Sequence, residues 1–263
     1  MKKVNYHTHT QRCKHAQGTE ADYVQAALDN KMDILGFSDH APYPDERFGL
    51  RMDYAELKPY VECLKKLQEK YKKELGIRIG LEIEYAGREL SYYHDLLEKE
   101  GLEYLLLGQH IFYTSAGEEV NTYFIEQTGD TTYYLEYAKS LEEGMYSGCF
   151  KAVAHPDLFF INNLPNDVNC EKACDMIVNA AAATNTILEF NANGFRREKK
   201  RYADGVRYPY PHKMFWDKVR EAQIPVIINS DCHNPQNVWD HTMEDAYALA
   251  ESWKLKLVDE ILY

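Results

Sequence analysis

Positive charge is in short supply in this chain: 30 lysines and arginines stand against 42 aspartates and glutamates, a formal net charge of −12. Non-specific affinity for nucleic acid or an anionic membrane needs a basic surface, so neither is an expected partner. No apolar run approaches the length a bilayer requires, and no apolar segment follows the two lysines after Met1. Neither a membrane helix nor a secretory leader is therefore expected, and the cytoplasm is the expected compartment. Without a secretory route the six cysteines read as reduced thiols, with Cys170 and Cys174 spaced to pack on one face of a helix. No Gly/Ser linker, low-complexity tract or internal repeat interrupts residues 1–263, which are expected to form one domain. Several hydrolytic designs also lack their parts: there is no GxxxxGK[ST] phosphate loop, no GxSxG elbow, and no cysteine followed six positions later by arginine. Metal-activated water is then the natural nucleophile.

What is present is a composition 45% hydrophobic and 13% aromatic, enough for a large core. Short apolar or β-branched runs recur at residues 4–6, 34–37, 77–83, 104–107, 152–154, 187–190 and 226–228. Helical periodicity fills the intervals at 21–30, 54–75, 89–99, 133–145, 170–183, 212–222 and 243–253. Alternation of this kind predicts an α/β fold with parallel strands, either an open sheet or a closed barrel.

Metal-type side chains gather where those runs end. His7 and His9 follow the first, His40 the second, Glu82 and Glu84 close the third, His110 follows the fourth, His155 the fifth, and Asp231 with His233 the seventh. The C-terminal face of a barrel is where active sites are built, so residues distant in sequence are expected to converge there. Strand residues two apart share a face, which lets His7 with His9, and Asp231 with His233, grip metal in one place. A mixed nitrogen and oxygen set suits zinc, manganese or iron without choosing among them. His94, His212 and His241 lie on or beside helices and are expected outside the site, while spacing alone leaves His15 open. Glu82 and Glu84 compete, and one of them is expected only to orient its neighbours.

These residues sit in recognisable motifs: HTHTQRCKHA from His7 to Ala16, SDHAP from Ser38, GLEIEY from Gly80, GQH from Gly108, AHPD from Ala154 and SDCH from Ser230. In order and over nearly the whole chain they resemble the PHP superfamily, and the HxHTxxCxHA opening resembles its histidinol-phosphate phosphatase branch. The resemblance implies a distorted seven-stranded (β/α)7 barrel, TIM-like, with two or three divalent metal ions. It implies hydrolysis of a small phosphate monoester, with L-histidinol phosphate the first substrate expected, by a metal-bridging hydroxide. Carried over residue by residue, His7, His9, Glu82 and Asp231 would hold one metal; Glu82, His110 and His155 a second; His15, His40 and His233 a third. Arg196, in NANGFRREKK, would grip phosphate oxygens beside the catalytic Glu82 and Asp231. The branch carries a second arginine shortly after the fifth-strand histidine, whereas here that stretch reads HPDLFFIN. Arg197 or Arg12 is a candidate substitute, another small phosphate such as a nucleotide or sugar phosphate is the alternative substrate, and a non-catalytic metal-binding interaction domain is the alternative from another class.

Overall fold

The computed structural model describes residues 2–261. Its central sheet is parallel throughout and contains β1 (Val4–Asn5), β2 (Ile34–Phe37), β3 (Gly76–Ile83), β4 (Tyr104–Leu107), β5 (Ala152–Val153), β6 (Ile187–Asn191), β7 (Pro225–Asn229) and β8 (Lys256–Leu257), hydrogen-bonded in that order. Helices α1 (Glu20–Asp29), α2 (Leu57–Tyr71), α3 (Leu90–Glu98), α4 (Thr132–Tyr146), α5 (Val168–Thr184), α6 (Lys213–Glu221) and α7 (His241–Ser252) supply the crossovers. Local chemistry sets their ends. Thr19 and Asp22 form a reciprocal capping box at the start of α1. Asp167 accepts from the Asn169 and Cys170 amides at the start of α5, which ends on left-handed Asn185. Cys170 and Cys174 are free thiols buried on that helix.

All seven apolar runs are strands of one sheet, which curls into a TIM-like α/β barrel distorted at a single seam. There the upper part of β7 approaches β1 through a bridge between Thr8 and Cys232, with the His9 amide donating to the Cys232 carbonyl at 3.0 Å. Side chains complete the closure: Asn229 accepts from the Tyr6 amide at 2.7 Å, and Asn5 donates to Ser230 Oγ at 2.6 Å. Lower down, β8 pairs with β7 instead. Two antiparallel hairpins, Ile111–Tyr113 with Glu119–Asn121 and Lys200–Tyr202 with Gly205–Arg207, extend the loops after β4 and β6.

Alternate strand residues face the barrel interior. Its lower layers hold Val4, Tyr6, Ile34, Tyr104, Leu106, Ala152, Ile187 and Ile227, all buried. Tyr104 dominates this layer and donates to the carbonyls of Tyr6 and Phe37 at 2.7 and 2.9 Å. It fits because Gly36 and Gly80 lack side chains: a Cβ at Gly80 would lie 2.5 Å from the Tyr104 ring. Gly80→Ala is therefore expected to destabilise the fold by roughly 1–3 kcal/mol or more through overpacking, read as a lower urea midpoint with unchanged slope. No described helix is long and apolar enough to cross a membrane.

Candidate metal centre

Above this apolar floor the inward positions turn polar. The alternation that points Gly80 inward brings Glu82 and Glu84 to the same side, and it likewise aligns Glu189 with Ile187 and Asp231 with Ile227. Glu82 occupies its place only because Gly108, on the neighbouring strand, has no side chain; a Cβ there would lie 2.1 Å from Glu82 Oε1. His155 and Asp231 adopt left-handed backbone, φ 31° and 46°, where their strands give way to loops. Such strain is characteristic of functional positions, where surrounding structure holds a donor in place.

The structure brings His7, His9, His15, His40, His110, His155 and His233 into one continuous group with Glu82 and Asp231. Glu82 is the hub. Its carboxylate oxygens lie 2.8 Å from His155 Nε2, 3.0 Å from His40 Nδ1, 3.4 Å from His7 Nε2, and 3.5 Å from both His9 Nε2 and His110 Nε2. Asp231 Oδ1 lies 3.2 Å from His9 Nε2 and 3.5 Å from His7 Nε2. Glu84, by contrast, pairs with Arg51 and accepts from His110 Nδ1 at 3.3 Å, a position suited to orienting that ring.

The donor set calls for cations. His15 Nδ1 lies 2.7 Å from the Cys13 carbonyl and His233 Nδ1 3.2 Å from the Asp231 carbonyl. A carbonyl only accepts, so both Nδ1 atoms carry hydrogen and both Nε2 atoms present bare lone pairs, 2.9 Å apart. His7 repeats the pattern: Nδ1 faces Glu189 Oε1 at 2.8 Å, and Nε2 faces His9 Nε2 at 2.9 Å. Two lone pairs at that separation are tenable only with a proton or a metal ion at hand. His9, Asp231 and His233, His7, His9 and Glu82, and His15, His40 and His233 each offer ligand atoms within 4.8 Å of one another. Imidazole and carboxylate donors in this number fit several divalent ions.

The charge state agrees. Burial pushes the Glu82 carboxyl up, but His110, His7, His40 and the His155 hydrogen bond together hold it well below the usual carboxylate range. Burial also works against ionised Asp231, and His7, His9 and His233 likewise keep it well below that range. Burial and His233 lower His9 to about 3. Burial and Arg51 keep His40 low. His7 and His155 are the exceptions: burial opposes their charge, yet Glu189, Asp231 and Glu82 raise His7 well above an ordinary imidazole, and Glu82 raises His155. Without metal, a proton on His7 answers the same demand for positive charge.

Three contributors were not read from the sequence. Glu189 is fully buried beneath His7, accepts from the His155 amide at 2.9 Å and from Asn191 and Asn229 at 2.8 Å each, and thereby fixes the His7 tautomer. A charged residue at an inward position of the otherwise apolar run ILEF was its available signal. Glu189→Gln is expected to weaken metal affinity about 10- to 100-fold, measured by chelator competition, because it loosens a ligand without removing one. Cys13 is a second contributor: its thiol donates to Asp39 at 2.9 Å, receives the His40 amide at 3.1 Å, and lies 3.4 Å from His9 Nδ1. Arg51 is the third.

A cavity of about 600 Å³ opens over the cluster, lined by His15, His40, His110, Asp231 and His233 together with Tyr123, Asn193 and three arginines, Arg51, Arg196 and Arg197. Arg196 reaches its wall, but its guanidinium is engaged by Asp240 at 2.8 and 3.1 Å, the Ser230 carbonyl at 2.6 Å and the Asn237 carbonyl at 3.2 Å. Arg197 makes one such bond, Nε to the Tyr210 hydroxyl at 3.2 Å, and lies over the Tyr123 and Tyr210 rings. Arg12 points elsewhere, to Glu20 and Glu56. His94 pairs with Glu98, His241 opens α7 on the surface, and His212 stacks on Phe160 while bonding Asp204, so all three stand apart from the cluster. Asp39 bonds Thr10 and Cys13, and Asp157 bonds the His212 amide and Trp216 Nε1; neither meets a ligand ring.

A parallel α/β barrel with imidazoles and carboxylates at the C-terminal ends of its strands defines a metal-centred barrel of the hydrolase type. The chain belongs to the PHP domain family, whose profile matches residues 5–193. It is 29% identical over 240 residues to the Deinococcus radiodurans protein named "Probable histidinol-phosphatase", covering 88% of this chain and 86% of that one. It is 26% identical over 263 residues to the histidinol-phosphatase of Bacillus subtilis, covering 90% and 96%. The crystal structure of histidinol phosphate phosphatase from Lactococcus lactis, complexed with zinc, L-histidinol and phosphate, has the same fold, with a TM-score of 0.73 over 98% of this chain and 95% of its own at 15% identity.

Proposed function

We propose that this chain is a phosphoric monoester hydrolase that converts L-histidinol phosphate to L-histidinol and phosphate at a centre of two or three divalent metal ions. The observation that carries this reading is the gathering of seven imidazoles with Glu82 and Asp231, two pairs of their Nε2 atoms only 2.9 Å apart, beneath a cavity walled by guanidinium groups. The substrate comes from the names of the relatives. His7, His9, Glu82 and Asp231 would hold one ion, Glu82 with His110 and His155 a second, and His15, His40 and His233 a third. Bound divalent ions supply Lewis acidity toward phosphoryl oxygens and make water acidic enough to attack near neutral pH.

The chain's own residues do the rest. Glu82 and Asp231 stay ionised and offset the charge of the ions, while Glu189 and Glu84 fix the rings of His7 and His110. Arg197 lines the cavity with only Nε engaged, and its remaining N–H groups would take phosphate oxygens, a role the planar fork suits. Arg196 lines the same wall, but its fork is engaged by the segment Ser230–Asp240, and we assign it to holding Asp231 and His233 in place. The arginine-free stretch HPDLFFIN favours a nucleotide or sugar phosphate as the second reading. We take residues 1–263 as one working unit, since both ends of the described chain supply strands of one sheet, and the six free thiols support a reducing compartment, the cytoplasm.

The test is phosphate release from histidinol phosphate beside nucleoside, sugar and aryl phosphates, using metal-loaded protein with Asp231→Asn as control. Selective turnover of histidinol phosphate is expected. Preference for another ester would transfer the assignment to it, and no turnover at full metal loading would leave a binding domain.

A further inference from the structure

Three guanidinium groups line the cavity, and their states differ. Arg196 is bonded on three sides, and Arg197 is held by one hydroxyl. Arg51 enters from the loop between β2 and α2. Its side chain is only 10% exposed; Nη2 pairs with Glu84, Nη1 has a marginal 3.4 Å contact with the Leu50 carbonyl, and Nε has no partner. A buried guanidinium with most of its five N–H groups unclaimed is costly to maintain, and a ligand that accepts the Nη hydrogens offsets part of that cost.

The loop that delivers Arg51 is itself expensive. Glu46, Phe48 and Leu50 all adopt left-handed backbone, φ 52°, 65° and 58°, although none is glycine. Backbone strain persists where surrounding structure enforces it, and it concentrates at ligand clamps. Here the Met52 amide reaches the His40 carbonyl at 3.4 Å, which ties the residue after Arg51 to a metal-ligand position. Neutralising Glu84 accounts for one N–H of Arg51, and it accounts neither for the partnerless Nε nor for the side chain's place in the cavity wall. The sheet order puts β2 second and β6 sixth around a barrel of seven strands, so the loops carrying Arg51 and Arg197 rise from opposite sides of the mouth.

We propose that Arg51 is a second phosphate-binding side chain, closing with Arg197 on a phosphoryl group from opposite sides of the metal-ligand cluster. This rests on the phosphoesterase reading and deepens it: the ligand is a dianionic phosphate, gripped by two forks, and the loop after β2 supplies the fork that the stretch after His155 lacks. Glu84 takes one Nη2 hydrogen and leaves the remaining Nη hydrogens for the ligand.

The experiment is calorimetric titration of inorganic phosphate into metal-loaded protein, with metal content measured on each sample. Because Arg51→Met alone strands a buried carboxylate, the informative comparison is Arg51→Met with Glu84→Gln against Glu84→Gln alone. The double variant is expected to bind phosphate about tenfold or more weakly at equal metal content, with KM for the ester rising in step, and Arg51→Lys to fall between. Phosphate affinity within twofold of the Glu84→Gln protein would overturn the proposal. So would loss of metal in the double variant alone, because Arg51 would then act through the metal centre, and so would wild-type protein that takes up no phosphate. Failure of the phosphoesterase reading has a separate signature: wild-type protein that binds metal and phosphate yet turns over no ester.

Discussion

Replacing Glu82 by glutamine is expected to lower kcat/KM for ester hydrolysis by at least about three orders of magnitude. One carboxylate here serves five imidazoles, from His155 at 2.8 Å to His9 and His110 at 3.5 Å. The carboxamide keeps the shape that Gly108 accommodates but removes the negative charge and one of two ligand oxygens. Loss of a single preorganised electrostatic group costs about 10²–10³ in rate, and weaker retention of the ions adds to that. The measurement pairs steady-state phosphate release with metal content. Activity within tenfold of wild type at full metal loading would remove Glu82 from the centre of the site.

Stripping the ions with a chelator is expected to abolish activity and to lower Tm by roughly 10 °C or more, restored on adding metal back. A ligand at about a thousand times its Kd stabilises by about 4 kcal/mol, and each kcal/mol moves Tm by about 2–4 °C in a domain near this size. The effect depends on pH with a definite sign. In the stripped protein His9, His40 and His233 have lowered pKa values, so the stability they carry is present above about 6.5 and lost as pH falls. His7 and His155 are raised, so theirs is present below about 6.5 and lost as pH rises through the raised values. Metal requires every ligand imidazole neutral, so binding expels protons from His7 and His155. The gain in Tm on loading is therefore expected to grow as pH rises from about 6.5 through the raised values, and a gain independent of pH would mean that these histidines do not bind metal.

The barrel was legible because its strands are fully buried: runs such as YLLL at Tyr104–Leu107 have no polar face and cannot be surface structure. The seam was not. Lys256–Leu257 is a two-residue strand with no run to announce it, and closure there rests on Asn5, Asn229 and Ser230, whose partners are set only by the fold. The loop hairpins escaped for the same reason, being strands of only three residues, most of them of mixed polarity. In the site, histidines at strand ends signal metal because few structural roles gather them there. Glu189 was hidden by standing inside a strand rather than at its end, although its inward position was available. Arg51 left no trace at all, since it owes its position to three left-handed residues in a loop without periodicity. Adjacent arginines were equally silent on their division of labour: Asp240 and the Ser230 and Asn237 carbonyls distinguish engaged Arg196 from freer Arg197.

The most direct test of the account is element-resolved anomalous scattering from crystals of the metal-loaded protein. Two or three peaks are expected, one of them within coordination distance of Glu82, His7, His9 and Asp231, and one within reach of His15, His40 and His233. Full metal occupancy elsewhere, with no peak touching Glu82, would contradict it.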